Sequence, residues 1–171
     1  MGLGSHFSPG APPTLNHVTP DATWMPDRLC VLLVDDNPAD CELVHEAAAR
    51  QDRAVTVKVL HDGRSALDWL LAQADLHLLP DVLLLDIRMP GMTGFEMLQA
   101  VRSHPSLHRL PAVMLTTSSD SDDVRRAYDL ISSGYLVKEH GFEEFTAQIR
   151  RFIAYWSDVH YPHTRAYVRP A

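Results

Sequence analysis

Acidic side chains stand directly after two apolar runs of this 171-residue sequence. Asp35 and Asp36 follow the run from Leu29 to Val34, and Asp86 follows the run from Val82 to Leu85. Taken singly, each aspartate is compatible with an ordinary loop before a helix, where the helix dipole favours a carboxylate. Brought together, three carboxylates would repel one another unless a cation lay among them.

Hydroxyl and ammonium groups stand at the ends of two later apolar runs. Thr116 and Ser118 lie at the end of the first of these runs, and Lys138 directly follows the second. Lys138 supplies one positive charge, and a hard divalent ion such as Mg²⁺ (or Mn²⁺), which binds carboxylates, water and phosphate oxygens, would supply the rest. The joint pattern therefore indicates a site for phosphoryl chemistry.

The apolar runs that carry these residues alternate with stretches of helical period. Alternating strands and helices predict an α/β fold, a doubly wound, five-stranded parallel sheet covered on both faces. If the strand order is 2-1-3-4-5, the flavodoxin-like order of doubly wound sheets, the first and third strands flank the point where strand order reverses, and the three aspartates meet there. The predicted strands are residues 29–34, 54–60, 81–85, 112–116 and 134–137; the predicted helices are residues 38–51, 64–74, 94–103 and 120–131, and a last helix from residue 142.

Composition excludes several classes of protein. The net charge is −7 and no block of Lys and Arg occurs, which disfavours a surface that binds nucleic acid. No apolar run reaches the roughly 20 residues that span a bilayer, and the N-terminus lacks the features of a signal peptide. Cys30 and Cys41 suit a reducing compartment and unpaired thiols, so the sequence predicts a cytoplasmic protein.

The chain divides into three predicted parts. Residues 1–27 contain prolines at positions 9, 12, 13, 20 and 26 and no apolar periodicity, which predicts a disordered or loosely docked arm. Residues 28–160 form the folded domain, and residues 161–171 form a tail.

Four segments of the sequence resemble, in order and spacing, the signatures of bacterial response-regulator receiver domains. These segments are VLLVDDNPAD, LLLDIRMPGMTG, PAVMLTTS and GYLVK. The DNPAD opening, the lysine without a following proline, and the aromatic segment IRRFIAYWSDVHYP are further similar to single-domain regulators that partner phytochrome histidine kinases.

The resemblance implies a role for each matching acidic residue. Asp86 would attack a phosphohistidine of a sensor histidine kinase to give an aspartyl phosphate. Asp36 and Asp86 would bind the metal directly, with the backbone carbonyl of Arg88, and Asp35 would act mainly through bound water. The metal and Lys138 would offset charge on the transferring phosphoryl group.

The resemblance also implies a conformational switch. Thr116 would donate its hydroxyl to a phosphoryl oxygen, and Tyr135 would turn inward when Thr116 moves. Arg88 and Ser118 border the phosphoryl group and would tune dephosphorylation in a direction that the sequence does not predict. Most receivers follow the lysine with proline in a cis peptide; here Glu139 follows, so the geometry of the Lys138–Glu139 bond stays open.

The last helix carries an apolar stripe that looks longer than the underlying sheet needs. Its residues at spacings of 3 and 4 continue from Phe142 to Val159, roughly 27 Å of helix at 1.5 Å per residue. One alternative is a stripe that packs on the chain's own sheet. We expect instead that the excess aromatic surface forms a homodimer. The predicted interface residues are Phe145, Ile149, Phe152, Ile153 and Trp156.

Two other functions compete with a phosphorylated signalling module. A Mg²⁺-dependent phosphatase with an aspartate nucleophile usually has a second aspartate two residues later, where this chain has Arg88. A pseudo-receiver that binds partners without phosphorylation typically lacks part of the acidic and Thr/Lys set, which is complete here. Since only a short tail follows the last helix, we expect output through protein contacts or onward phosphorelay.

Overall fold

The structure, a computed structural model, describes residues 28–159 of the chain. The predicted N-terminal arm at residues 1–27 and the predicted tail at residues 161–171 lie outside the described residues. Within that range no helix is both long enough and apolar enough to cross a membrane.

Five strands alternate with five helices along the described residues. The strands are β1 (Leu29–Val34), β2 (Val55–Leu60), β3 (Val82–Leu85), β4 (Ala112–Thr116) and β5 (Gly134–Val137). The helices are α1 (Pro38–Ala49), α2 (Gly63–Asp75), α3 (Gly94–Ser103), α4 (Ser121–Asp129) and α5 (Phe142–Asp158).

The strands form one parallel sheet in the order β2-β1-β3-β4-β5, which confirms the predicted topology. The register sets the functional edge of this sheet. Val34 of β1 pairs with Leu85 of β3, so that the residues that follow them stand side by side. The Asp86 amide donates to the Val34 carbonyl at 2.9 Å. The ends of β1 and β3 therefore bring Asp35, Asp36 and Asp86 close together.

Two apolar layers enclose the sheet. One contains side chains of α2, α3 and α4 together with β1, β3 and β4, and the other contains side chains of α1 and α5 with the opposite faces of the same strands. Strands β1, β3 and β4 are therefore buried along their whole lengths, whereas β2 and β5 are partly exposed at the edges. Burial on both faces explains why the central strands are uninterrupted apolar runs.

Helix α5 packs its apolar stripe onto the sheet. All five residues predicted to form a dimer interface are buried in this layer, with exposed fractions of 8% or less. Phe142 and Tyr155, near the two ends of the helix, are 52% and 65% exposed. The five buried side chains therefore stabilise the domain itself, and any dimer contact through α5 has to use its exposed side chains.

Candidate functional site

Three aspartates meet at the edge where β1 and β3 end. Asp35 and Asp86 are buried and Asp36 is exposed, and one carboxylate oxygen of each lies within 4.8 Å of the others. Backbone amides fix the two buried carboxylates. The amide of Asn37 donates to Asp35 at 2.9 Å, and the amide of Arg88 donates to Asp86 at 2.9 Å. Both carboxylates are thus held in place before any ligand arrives.

Lys138 brings a buried ammonium group into this acidic cluster. Its Nζ atom lies 2.8 Å from Asp35 Oδ2, 2.8 Å from Asp40 Oδ2 and 3.3 Å from Asp86 Oδ1. The lysine arrives there because it follows β5, whose last residue pairs with Thr116, and the Lys138 amide donates to the Thr116 carbonyl at 2.7 Å.

Burial and charge act in opposite directions on these groups. Burial lowers the pKa of the Lys138 ammonium, but the hydrogen bonds to Asp35 and Asp40 and the nearby carboxylate charges outweigh burial and raise this pKa above its usual range. Burial raises the pKa of the Asp35 carboxyl, and the hydrogen bonds from Lys138 and the Asn37 amide offset part of that rise. One lysine cannot neutralise the cluster, which remains attractive to a cation.

The turn after β3 brings the start of α3 against the backbone of Asp86. The Gly94 amide donates to the Ile87 carbonyl at 2.9 Å, and this bond closes the loop and starts α3 against the backbone of Asp86. Thr93 caps the helix in a capping box with Glu96. Gly91 lies in the left-handed region at a φ of 77°. A Cβ atom at Gly94 would lie 2.9 Å from the carbonyl carbon of Asp86, so this close approach requires a glycine.

The residues after β4 form a hydrogen-bonded network. Thr116 is buried, and its Oγ1 accepts from the Ser118 amide at 3.2 Å. The Ser118 hydroxyl donates to Asp123 at 2.7 Å, and the Tyr135 hydroxyl donates to the Ser118 carbonyl at 2.9 Å. Tyr135 is half-buried and packs against the core cluster beneath α4. The Arg88 side chain, in contrast, is exposed.

The loop after Lys138 has ordinary peptide geometry. No cis peptide bond occurs between residues 28 and 159, so the Lys138–Glu139 bond, which the sequence left open, is trans. The Glu139 amide donates to the Gln148 side chain of α5 at 3.2 Å. This bond ties the loop to the last helix.

The Cys41 thiol lies beside the acidic cluster. Its Sγ atom contacts the Asp35 carbonyl at 3.5 Å. Burial and the charges of Asp35 and Asp40 raise the pKa of Cys41 to about 11, so the thiol is protonated near neutral pH. Cys30 and Cys41 are both buried, and they form no disulfide with each other.

Sequence reasoning missed three residues that touch the site. Asp40 bonds the lysine, Asp123 accepts from Ser118, and the His61 ring lies 3.1 Å from the Asp35 carbonyl. Asp40 and Asp123 lie in the first turns of α1 and α4, where an acid ordinarily signals only a favourable helix dipole. His61 follows β2, so its place at a strand end was the available signal.

The donor set fits a hard divalent cation. Three carboxylates offer oxygen atoms close together, and Asp36 is open to solvent, which suits an ion that keeps several water ligands. Cysteine and imidazole ligands, which softer metals prefer, are absent from the metal-binding group found among the described residues. Asp35, Asp36 and Asp86 are therefore the residues able to hold Mg²⁺ or Mn²⁺.

Comparison with known proteins gives one consistent family. The family model of the response regulator receiver domain matches residues 31–150. The chain is 37% identical over 131 residues to the probable methanogenesis regulatory protein FilR2 of Methanothrix harundinacea. The alignment covers 76% of this chain and 84% of that protein. It is 32% identical over 128 residues to response regulator Rcp1 of Synechocystis, and this alignment covers 74% of this chain and 87% of that protein.

Solved structures agree with these matches. The phosphorylated cyanobacterial phytochrome response regulator RcpA superposes with a TM-score of 0.72 at 31% identity, over 77% of this chain and 95% of that chain. The Mn²⁺-bound form of response regulator Rcp1 superposes with a TM-score of 0.71 at 30% identity, over 77% and 96%. The chain thus resembles phytochrome-associated regulators in both sequence and fold.

Proposed function

The chain belongs to the response regulator receiver domain family, and from this premise we propose that a histidine kinase phosphorylates it on Asp86. The observation that carries the proposal is the position of Asp86. This carboxylate follows the central buried strand β3, lies 3.3 Å from the Lys138 ammonium, and shares a potential cation site with Asp35 and Asp36.

The proposed reaction moves a phosphoryl group from a kinase histidine to a carboxylate oxygen. A new O–P bond forms at Asp86, while the N–P bond of the phosphohistidine breaks and leaves its electron pair on the imidazole nitrogen. Bound Mg²⁺ (or Mn²⁺) would offset negative charge on the transferring group. Lys138 would do the same from the side of β5, and Thr116 would donate its hydroxyl to a phosphoryl oxygen.

Output would follow from the network after β4. Once Thr116 turns to the phosphoryl group, its hydroxyl oxygen can no longer accept the Ser118 amide in the present geometry. Ser118 also holds Tyr135 and Asp123, so the change would reach β5 and α4. We propose altered protein contacts or onward phosphorelay as the result, with Arg88 and Ser118 tuning dephosphorylation.

A phytochrome-type histidine kinase in the cytoplasm is the proposed partner. The proposal is supported by the likeness to the cyanobacterial regulators RcpA and Rcp1. A receiver spanning residues 28–160, with the arm and tail on either side, would dock this kinase near Asp86. The pseudo-receiver alternative finds less support, because the chain retains all three acids, the threonine and the lysine.

Phosphotransfer profiling tests the kinase assignment. Each autophosphorylated histidine kinase of the host is mixed with the purified full chain, and the initial rate of transfer is measured. We expect the phytochrome-type kinase to be the fastest donor, because the chain is similar to the phytochrome response regulator RcpA and to Rcp1. Faster transfer from another kinase would contradict the phytochrome assignment. Absence of transfer from every kinase would favour the pseudo-receiver.

We further propose a homodimer through the α5 region. Because the five predicted interface residues are buried in the domain, the contact would use exposed side chains, and Tyr155 is the most exposed large apolar side chain on α5. Light scattering should give twice the chain mass for the wild type and a lower mass for Tyr155→Glu. Leu76→Glu, which alters an exposed apolar residue at the end of α2, is the matched control. A monomeric wild type at tens of micromolar would contradict the dimer.

A further inference from the structure

We infer that Asp40 is a positioning residue, which holds Lys138 between itself and Asp35 and so keeps the acidic cluster available to a divalent cation. This inference rests on the proposed function, because it concerns the same metal and phosphoryl site. Asp40 is not one of the three clustered carboxylates, and the family resemblance implies no role for it. Its place in the site comes from its contact with Lys138 alone.

The local structure of α1 explains why Asp40 is free to reach the lysine. An acid at the third position of a helix often accepts from the backbone amide of the capping residue. Here that amide, of Asn37, already donates to Asp35, and the Asn37 side chain accepts from the Ala39 amide. With the helix start satisfied in this way, the Asp40 carboxylate turns to Lys138 and accepts a hydrogen bond at 2.8 Å.

The three distances around the ammonium show how its charge is shared. Lys138 Nζ is 2.8 Å from both Asp35 and Asp40 but 3.3 Å from Asp86. The lysine side chain is 9% exposed and the Asp40 side chain 22% exposed, so water screens their attraction only partly. Without Asp40, the ammonium would lose one of its two short partners and would be drawn toward Asp35 and Asp86.

The loss of Asp40 would weaken cation binding for two reasons that act in the same direction. Removal of a negative charge from the site reduces its attraction for a divalent cation. A lysine that bonds Asp35 and Asp86 more closely also competes with the cation for the same carboxylate oxygens. The second effect requires Lys138, which gives the inference a specific test.

The test is a titration of the full chain with Mg²⁺ by calorimetry, and with Mn²⁺ by electron paramagnetic resonance. We expect Asp40→Asn to weaken binding of both ions by about three- to tenfold. Glu42→Gln is the matched control, because it removes a charge from the exposed side of the same helix, and its affinity should stay within about twofold of the wild type. Equal effects in the two variants, or no effect in Asp40→Asn, would overturn the inference.

A double-mutant cycle shows whether Asp40 acts through the lysine. In a Lys138→Met background, only the effect of the lost charge remains, so Asp40→Asn should weaken binding clearly less than it does in the wild-type background. An undiminished effect there would identify Asp40 as a direct contributor to cation binding and would overturn the positioning role. Cation binding requires no phosphorylation, so these results stand apart from the proposed function. If Asp86 is phosphorylated as proposed, the Mg²⁺ concentration that gives half of the maximal phosphorylation rate should be higher for Asp40→Asn than for the wild type, by the same factor as the loss of Mg²⁺ affinity. The phosphorylation rate at saturating Mg²⁺ should change little.

Discussion

Replacement of Asp86 by asparagine is expected to abolish phosphorylation completely. Incubation of the wild type with a small phosphodonor such as acetyl phosphate should add the mass of one phosphoryl group, only when Mg²⁺ is present. Asp86→Asn should add none, because an amide oxygen or nitrogen is too weak a nucleophile and no other carboxylate occupies the end of β3. Intact-protein mass spectrometry measures both results in parallel.

The Asp86→Asn variant should remain folded, which makes its loss of reaction interpretable. Asparagine has nearly the same shape as aspartate, can accept from the Arg88 amide through its side-chain oxygen, and removes one of the clustered negative charges. The control is Asp68→Asn, an exposed acid of α2 that should react as the wild type does. A Mg²⁺-dependent adduct on Asp86→Asn would show that another residue is the acceptor. No adduct on a folded, Mg²⁺-bound wild type would instead favour a pseudo-receiver or a protein that only a kinase can phosphorylate.

Replacement of Gly94 by alanine is expected to destabilise the fold strongly at the site. An added Cβ atom would lie 2.9 Å from the carbonyl carbon of Asp86 and 2.9 Å from the Cα atom of Ile87, and closer still to the Asp86 carbonyl oxygen. These are backbone atoms of the loop that carries the acceptor, so they cannot rotate away as a side chain can. We expect the free energy of unfolding to fall by about 2 to 3 kcal/mol in urea denaturation.

The same substitution should also slow phosphorylation of the molecules that remain folded. Relief of the clash would shift the Asp86 backbone relative to the rest of the site. A displacement of about 1 Å can lower a reaction rate on the order of a hundredfold. Gly134→Ala is the control, because its Cβ would meet only side-chain atoms of Val113 at 3.7 and 3.8 Å. It should change stability by less than about 1 kcal/mol. Equal stability of the two variants would show that the loop adapts without cost.

The sequence predicted every strand and helix of the described residues, and the predicted bounds differ from the observed ones by at most two residues. Three strands and one helix, β1, β4, β5 and α3, have the predicted bounds. The fourth helix was predicted over residues 120–131 but spans Ser121–Asp129, because Asp120 caps its start and Ile131 adopts a left-handed φ of 57°. Apolar periodicity does not mark such ends, since capping depends on local hydrogen bonds of polar side chains.

The apolar stripe of α5 shows where periodicity alone is ambiguous. Spacings of 3 and 4 place its residues on one face, but they do not distinguish the chain's own sheet from a second copy. In the structure α5 lies beside α1 over β1, β3 and β4, and this layer buries Phe145, Ile149 and Trp156. The depth of that layer depends on how the helices cross the sheet, which no local pattern in the sequence reports.

The sequence by itself located the strands and the residues that stand at the functional edge of the sheet. Parallel strands buried on both faces must be continuous apolar runs, so their ends, and the Asp35, Asp36, Asp86 and Lys138 that follow them, can be located along the chain. Only the tertiary structure decided how those charges are shared. Lys138 and Asp40 are 98 positions apart, and their contact depends on the approach of the β5 end to the start of α1. Such a contact is fixed by the packing of the whole domain, because three-dimensional distances between side chains are not encoded in the spacing of any single segment.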